Sequence, residues 1–220
     1  MKRLILALVG LVASLSLFAQ TDLERFERQF PDSLIYVMPE FMPGRVVYKN
    51  GQYSNGIFNI ATIDQTLRFR TDGGETLALK DNRDVDRVTI GKSLFLHLNN
   101  EYAQVVGVSD DVILCVTKKL VFKKDAKKGA FGMTSETTSI SSVSNYTEEL
   151  GSTYNLSSQA EHRMVQAPIL VKKNRQYPFN RKSLEKLFPD KKAALADYLA
   201  ANSVNFDNPA DATALFSALK

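Results

Sequence analysis

The chain has 220 residues, 44% of them hydrophobic and 24% charged, with 28 basic and 24 acidic side chains. Such a composition is that of an ordinary soluble globular protein, large enough for one large or two small domains. A single cysteine excludes an intramolecular disulfide, so stability rests on packing.

The first residues read as a secretory leader. Met1-Lys2-Arg3 is basic, Leu4 to Val12 is apolar, and a stretch of small residues ends in Phe18-Ala19-Gln20. The apolar run is too short to span a bilayer, and this layout predicts cleavage between Ala19 and Gln20, with Leu17 an imperfect fit three residues before the cut. The expected product is exported, to the periplasm or the cell surface. No later apolar run approaches the ~18 residues a transmembrane helix needs. No cysteine stands near the cleavage site, which argues against a lipid-modified N-terminus.

Charge is unevenly spread. Residues 20–117 carry a net −4, residues 118–192 a net +8 and residues 193–220 a net −2. A positive middle suits an anionic partner, an envelope polymer or a membrane surface; a solvated lysine face is its plain reading. Nothing in the chain resembles a nucleic-acid recognition motif.

Residues 20–44 are expected to hold a short helix, with Leu23, Phe26 and Phe30 at helical spacing before Pro31, and then a strand from Leu34 to Met38. From Arg45 to Phe122, short β-type segments alternate with turn signals every 8–12 residues. Asn50-Gly51, Asp72-Gly73-Gly74, Asp81 to Asp84, Gly91-Lys92, Asn99-Asn100 and Ser109-Asp110-Asp111 mark the turns. Leu67-Arg68-Phe69-Arg70 alternates strictly, giving one apolar and one cationic face. This rhythm predicts an antiparallel meander over 45–122, curled into an open barrel or a sandwich.

Residues 123–165 change character. Lys123, Lys124, Lys127 and Lys128 open the segment, and 13 of the 25 residues from Thr134 to Ser158 are Ser or Thr. Little of it can bury apolar surface against its ordering entropy, so a mobile loop is expected. Loops this long inside a domain are uncommon and often functional, which makes the four lysines a candidate interaction surface. Residues 166–220 return to order. A hairpin turns at Lys173-Asn174, Asn180 caps a helix bearing Leu184, Leu187 and Phe188, and Asp190 caps the next. Asn208-Pro209 then starts a last helix carrying Leu215, Phe216 and Leu219. The whole is expected to be α+β and mainly β, with a C-terminal helical hairpin and residues 45–220 forming one packed domain.

Four stretches carry a family likeness: the leader ending Phe18-Ala19-Gln20; Gly44 to Gly51, followed by Ile57 to Phe69 and Val85-Asp86-Arg87-Val88; Lys128-Gly129-Ala130-Phe131-Gly132; and Leu184 to Phe188 with Pro189-Asp190-Lys191-Lys192. Together these resemble a group of exported proteins of Bacteroidetes-type bacteria. The resemblance implies export and a β-rich body with a helical tail, and it carries no activity and no functional residue. In such bacteria Asp-Ser followed by an apolar residue matches an O-glycan acceptor, so Asp32-Ser33-Leu34 makes Ser33 a candidate. The Asn145 and Asn155 sequons read as polar loop.

Catalytic constellations fare poorly. His97 and His162 have no cysteine or carboxylate at ligand spacing, and Cys115 lies in an apolar strand. Ser183-x-x-Lys186 lacks the companion motifs of penicillin-interacting enzymes, and Gly91-Lys92-Ser93 is flanked by strands rather than followed by the helix a phosphate loop needs. Asp81, Asp84 and Asp86 lie beside Arg83 and Arg87, which oppose a cation. The pairs Glu148-Glu149 and Asp110-Asp111 are neighbours in sequence, which rarely face one substrate. No catalytic residue, metal ligand or cofactor is therefore assigned. The expected role is an exported, non-enzymatic interaction or structural module of the bacterial cell envelope, its partner an envelope protein or an anionic polymer. A hydrolase with a site assembled across the sheet and loop, centred on His97, and a carrier holding a small apolar ligand among alternate leucines stand as alternatives.

Overall fold

The computed structural model describes residues 29–79, 81–122, 141–142 and 162–220. Its body is one antiparallel sheet of eleven strands among the described residues: β1 (Met42–Tyr48), β2 (Tyr53–Ile60), β3 (Leu67–Arg70), β4 (Thr76–Ala78), β5 (Val85–Ile90), β6 (Ser93–Leu98), β7 (Glu101–Ser109), β8 (Val112–Phe122), β9 (Ser141–Ser142), β10 (His162–Lys172) and β11 (Arg175–Pro178). The spatial order is β4-β3-β2-β1-β5-β6-β7-β8-β10-β11, with β9 paired to the end of β8. The chain thus starts near the middle of the sheet, builds out to β4, returns to the other flank of β1, and builds out again.

The turns are where the sequence marks them. Asn99 and Asn100 have φ of 51° and 64°, and Lys173 and Asn174 have 49° and 59°. Positive φ at both central residues matches the twist of a two-residue hairpin, and asparagine tolerates it better than most side chains.

This sheet is rolled but not closed. Val46, Phe58, Ile60, Leu67, Val85, Val88, Ile90, Phe95 and Tyr102 come from six strands and pack in one buried cluster. At the roll's seam the link after β2 meets β7 and β8. Leu120 N–H donates to the Thr62 carbonyl at 3.2 Å. Gln65 Nε2 donates to the Lys118 carbonyl at 3.1 Å, and its Oε1 accepts from Tyr102 N–H at 3.3 Å. Five steps in strand order separate β2 from β8, about 24 Å if the sheet were flat, so these bonds require strong curvature.

The opposite face of the distal strands is also partly enclosed. Ala103, Cys115 and Val171 are buried there with Leu96, Leu98, Val105, Ile113 and Ile169 around them. Asn99 Nδ2 donates to Gln176 Oε1 at 3.1 Å, joining the β6–β7 turn to β11. Both faces of β6 are therefore used: Phe95 and His97 are buried on one and Leu96 and Leu98 pack on the other.

Three C-terminal helices cover the sheet near the β7–β8 turn. Labelled after α1 (Asp32–Ile35), they are α2 (Arg181–Leu187), α3 (Lys192–Ala201) and α4 (Pro209–Ala218). Leu184, Leu187, Phe188, Leu195, Leu215, Phe216 and Leu219 pack on Val112, Leu114 and Leu170. Asn180 accepts from Ser183 N–H at 2.8 Å and Asn208 from Ala210 N–H at 2.8 Å, the two expected caps.

Two expectations are corrected. The strand from Leu34 to Met38 is a helical turn over Asp32–Ile35 followed by a single bridge, Tyr36 to Ala61, because Pro31 and Asp32 start a turn and Pro39 stops extension. Asp190 does not cap α3: Pro189–Lys191 is a 3-10 turn, and Lys191 takes the cap position without a side-chain bond. The C-terminal helices expected after the β10–β11 hairpin are present as α2, α3 and α4. The helix expected over residues 22–30 and the Ser/Thr-rich segment lie mostly outside the described residues. Among the described residues no helix is long and apolar enough to cross a membrane.

Candidate interaction surfaces

In β2 the even residues Phe58 and Ile60 point into the roll, so Tyr53, Asn55 and Ile57 point out. Tyr53 is 59% exposed and Ile57 41%. Two arginines from the neighbouring strands stand over aromatic rings on this face. The Arg45 guanidinium stands 4.5 Å from the centre of the Tyr53 ring, and its Nε donates to Asn55 Oδ1 at 2.9 Å. Arg70 stands 4.7 Å from the Phe41 ring, which packs edge-on to Tyr36 at 5.0 Å. Neither arginine has a carboxylate partner among the described residues. Arg45 pairs with Asn55 in β2, and Arg70 with Ile57, so the Cα atoms of the two arginines lie about 12 Å apart across the sheet. Both arginines are exposed as well as held against a ring, so guanidinium N–H groups not used on Asn55 remain available to a carboxylate.

On the far side of the molecule a cleft of about 220 Å³ lies between the β7–β8 turn and the 3-10 turn. Its floor is Val112, Leu187 and Phe188, and four of its five charged residues are paired with one another. Lys172 meets Asp111 at 2.8 Å, while Lys191 lies 4.0 Å from Asp110 and bonds the Lys220 carbonyl at 2.9 Å. Pairing with Lys172 lowers the Asp111 pKa. A charged ligand entering here has to break these pairs first.

The residues singled out from sequence scatter. Ala19, Gln20, Lys123, Lys124, Lys127 and Lys128 lie outside the described residues. Ser33 is exposed in α1. His97 is buried beside the Tyr102 ring at 4.8 Å, with Nδ1 3.2 Å from the Val85 carbonyl and Nε2 without a hydrogen-bond partner among the described residues. His162 is exposed at the other end, against Phe30 and Phe122. No described element brings the two histidines together. Cys115 is buried, and burial pushes its thiol up to about 12, which suppresses the thiolate. Asp81 pairs with Arg83 at 2.7 Å, and that bond lowers its carboxyl pKa to about 2; Asp86 pairs with Arg87 at 2.5 Å. Ser183 is buried under its cap and Lys186 stands over the Tyr177 ring at 5.1 Å, so these two serve a helix start.

Arg45, Tyr53 and Asn55 were not anticipated as a unit. Their signal was present: Tyr53-x-Asn55-x-Ile57 runs out of phase with Phe58 and Ile60, which sets a tyrosine and an isoleucine facing outward. The partnering of Arg45 with Tyr53 needed strand register, which the sequence does not state.

No protein-family model, no curated protein and no solved structure matches this chain.

Proposed function

We propose that this protein is exported and works as a non-enzymatic interaction module of the bacterial cell envelope, docking a protein partner on the outer face of β1, β2 and β3. The observation that carries this reading is the pair of ring-backed, carboxylate-free arginines flanking exposed Tyr53 and Ile57. Tyrosine and arginine are enriched where binding energy concentrates, while lysine is depleted. Rigid aromatic and guanidinium groups also lose little entropy on binding. The complementary partner presents carboxylates at a similar spacing. The leader-like start and the resemblance to exported Bacteroidetes-type proteins support the envelope location.

The two alternatives find less support. A hydrolase centred on His97 needs an open site, and His97 is enclosed in the roll. A carrier lined by alternate leucines needs them inside, and Leu96 and Leu98 pack on the opposite face from the roll's core.

Chemical cross-linking in expressing cells, followed by mass spectrometry, tests the reading. The mature chain is expected to begin at Gln20 in the envelope fraction and to cross-link to a stoichiometric partner. Arg45→Glu/Arg70→Glu is expected to weaken that complex by about 30-fold or more, the loss typical of a binding hot spot. An uncleaved chain in the cytosol, or equal partner recovery with the double variant, overturns it.

A further inference from the structure

A second charged surface lies on different elements. Residues 162–192 hold nine basic and two acidic side chains, a net +7 in a short span. Part of this charge is spent internally: Lys172 on Asp111, Lys191 on Asp110, and Arg181 on Glu185 at 2.7 Å. Lys173, Arg175, Lys182 and Lys186 are exposed and form no ion pair among the described residues, though Lys173 is close enough to Asp111 to help lower its carboxyl pKa.

These four form a strip. Lys173 sits in the β10–β11 turn with φ 49°. Arg175 and Tyr177 point to the same side of edge strand β11, since side chains alternate. The Lys186 ammonium stands 5.1 Å over the Tyr177 ring, which ties α2 to that edge. Lys182 is one turn earlier on the same side of α2, about 6 Å along its axis. The cations thus run from the hairpin tip along the sheet edge and onto the helix, with Glu185 already held by Arg181.

Three features select the occupant. Strand β11 has four residues and ends in Pro178, so it is a poor template for an added peptide strand. Neither α2 nor β11 carries an exposed large apolar side chain among the described residues, so nothing there anchors in a lipid surface. Three of the four cations are lysines, point charges that answer to charge density rather than to bidentate geometry. A polymer with repeated negative charges meets several of them at once and releases its counterions.

We propose that the Lys173–Arg175–Lys182–Lys186 strip binds an anionic polysaccharide, retaining the protein in an anionic matrix. The envelope setting rests on the function proposed above; the binding chemistry does not, because it uses other residues.

Titration of fluorescent polygalacturonate with the mature chain, at low and at physiological salt, tests this. Wild type is expected to bind saturably and to lose affinity steeply as salt rises. Lys182→Glu/Lys186→Glu is expected to lose about tenfold or more, with a shallower salt dependence. Lys92→Glu/Arg163→Glu changes net charge equally on exposed positions elsewhere and is expected to stay within about twofold, since long-range charge alone is screened. Lys182→Gln/Lys186→Gln keeps the helix and gives a milder loss. Absence of saturable binding by wild type, equal losses in both charge-reversed variants, or binding to phosphatidylglycerol vesicles with none to the polymer overturns the proposal. If the strip variant still captures the cross-linked partner, the two surfaces are separate. A strip that fails while partner capture persists sinks this inference alone.

Discussion

His97 is a buried residue whose environment makes folding sensitive to acid. Its ring is buried against Tyr102, Nδ1 faces the Val85 carbonyl, and Nε2 has no hydrogen-bond partner among the described residues. Burial, then the nearby Lys49 charge, lower its pKa below the ordinary 6.5, against the opposing pull of the Val85 bond. The unfolded chain therefore takes up a proton below about pH 6.5 that the folded chain refuses, so stability falls as pH drops through that window toward the folded pKa. His97→Leu is expected to flatten this slope in urea titrations run between pH 7 and pH 5 at roughly half-unit steps. An unchanged slope would place the sensitivity elsewhere. The Arg68–Asp64 pair is a second residue-scale case. Its 2.9 Å bond lies between side chains only 6% and 4% exposed. Arg68→Met leaves a buried carboxylate without its cation and is expected to cost about 3–5 kcal/mol.

Among the elements, α4 shows how a missing side chain makes room. A Cβ added at Gly107 would stand only 3.0 Å from the Phe216 ring, and a bulge shifts the β7 register there between Val105 and Gly107. Gly107→Ala is expected to destabilise by about 1–3 kcal/mol, and Phe216→Leu in the same chain to recover part of that loss, which a double-mutant cycle measures. Most elements were legible before their packing was known. Turn dipeptides such as Asn99-Asn100 and Lys173-Asn174 declare their positive φ, and Asn180 and Asn208 declare their helix starts. Strand β6 was only half legible. In Leu94-Phe95-Leu96-His97-Leu98 the leucines suggest the core face, yet Phe95 and His97 fill the roll. Alternation names two faces; it does not say which is inner when both are covered. The arginine–aromatic face stayed hidden for a related reason, because Arg45 meets Tyr53 only through the β1–β2 register.

At the scale of the whole molecule, the rolled sheet depends on a seam with little regular pairing. Gln65 is the centre of it: 3% exposed, at φ 54°, bonded to Thr62 and Lys118 carbonyls and to Tyr102 N–H. A glycine there accepts the backbone conformation without strain but removes every one of those bonds. Gln65→Gly thus separates the seam from the turn geometry. Leaving the buried Tyr102 N–H and Lys118 carbonyl unsatisfied is expected to cost about 2 kcal/mol or more. The loss is expected to be local. Amide hydrogen exchange at Leu120 and Tyr102, both bonded across the seam, should accelerate while that of Leu114 under the helices stays slow. The helical side has its own core of Leu184, Leu195, Leu215 and Phe216 against Leu114 and Leu170, which does not use Gln65. Equal acceleration at Leu114 would instead show that the roll and the helix-covered end open as one cooperative unit, with β7 and β8, shared by both, transmitting the loss.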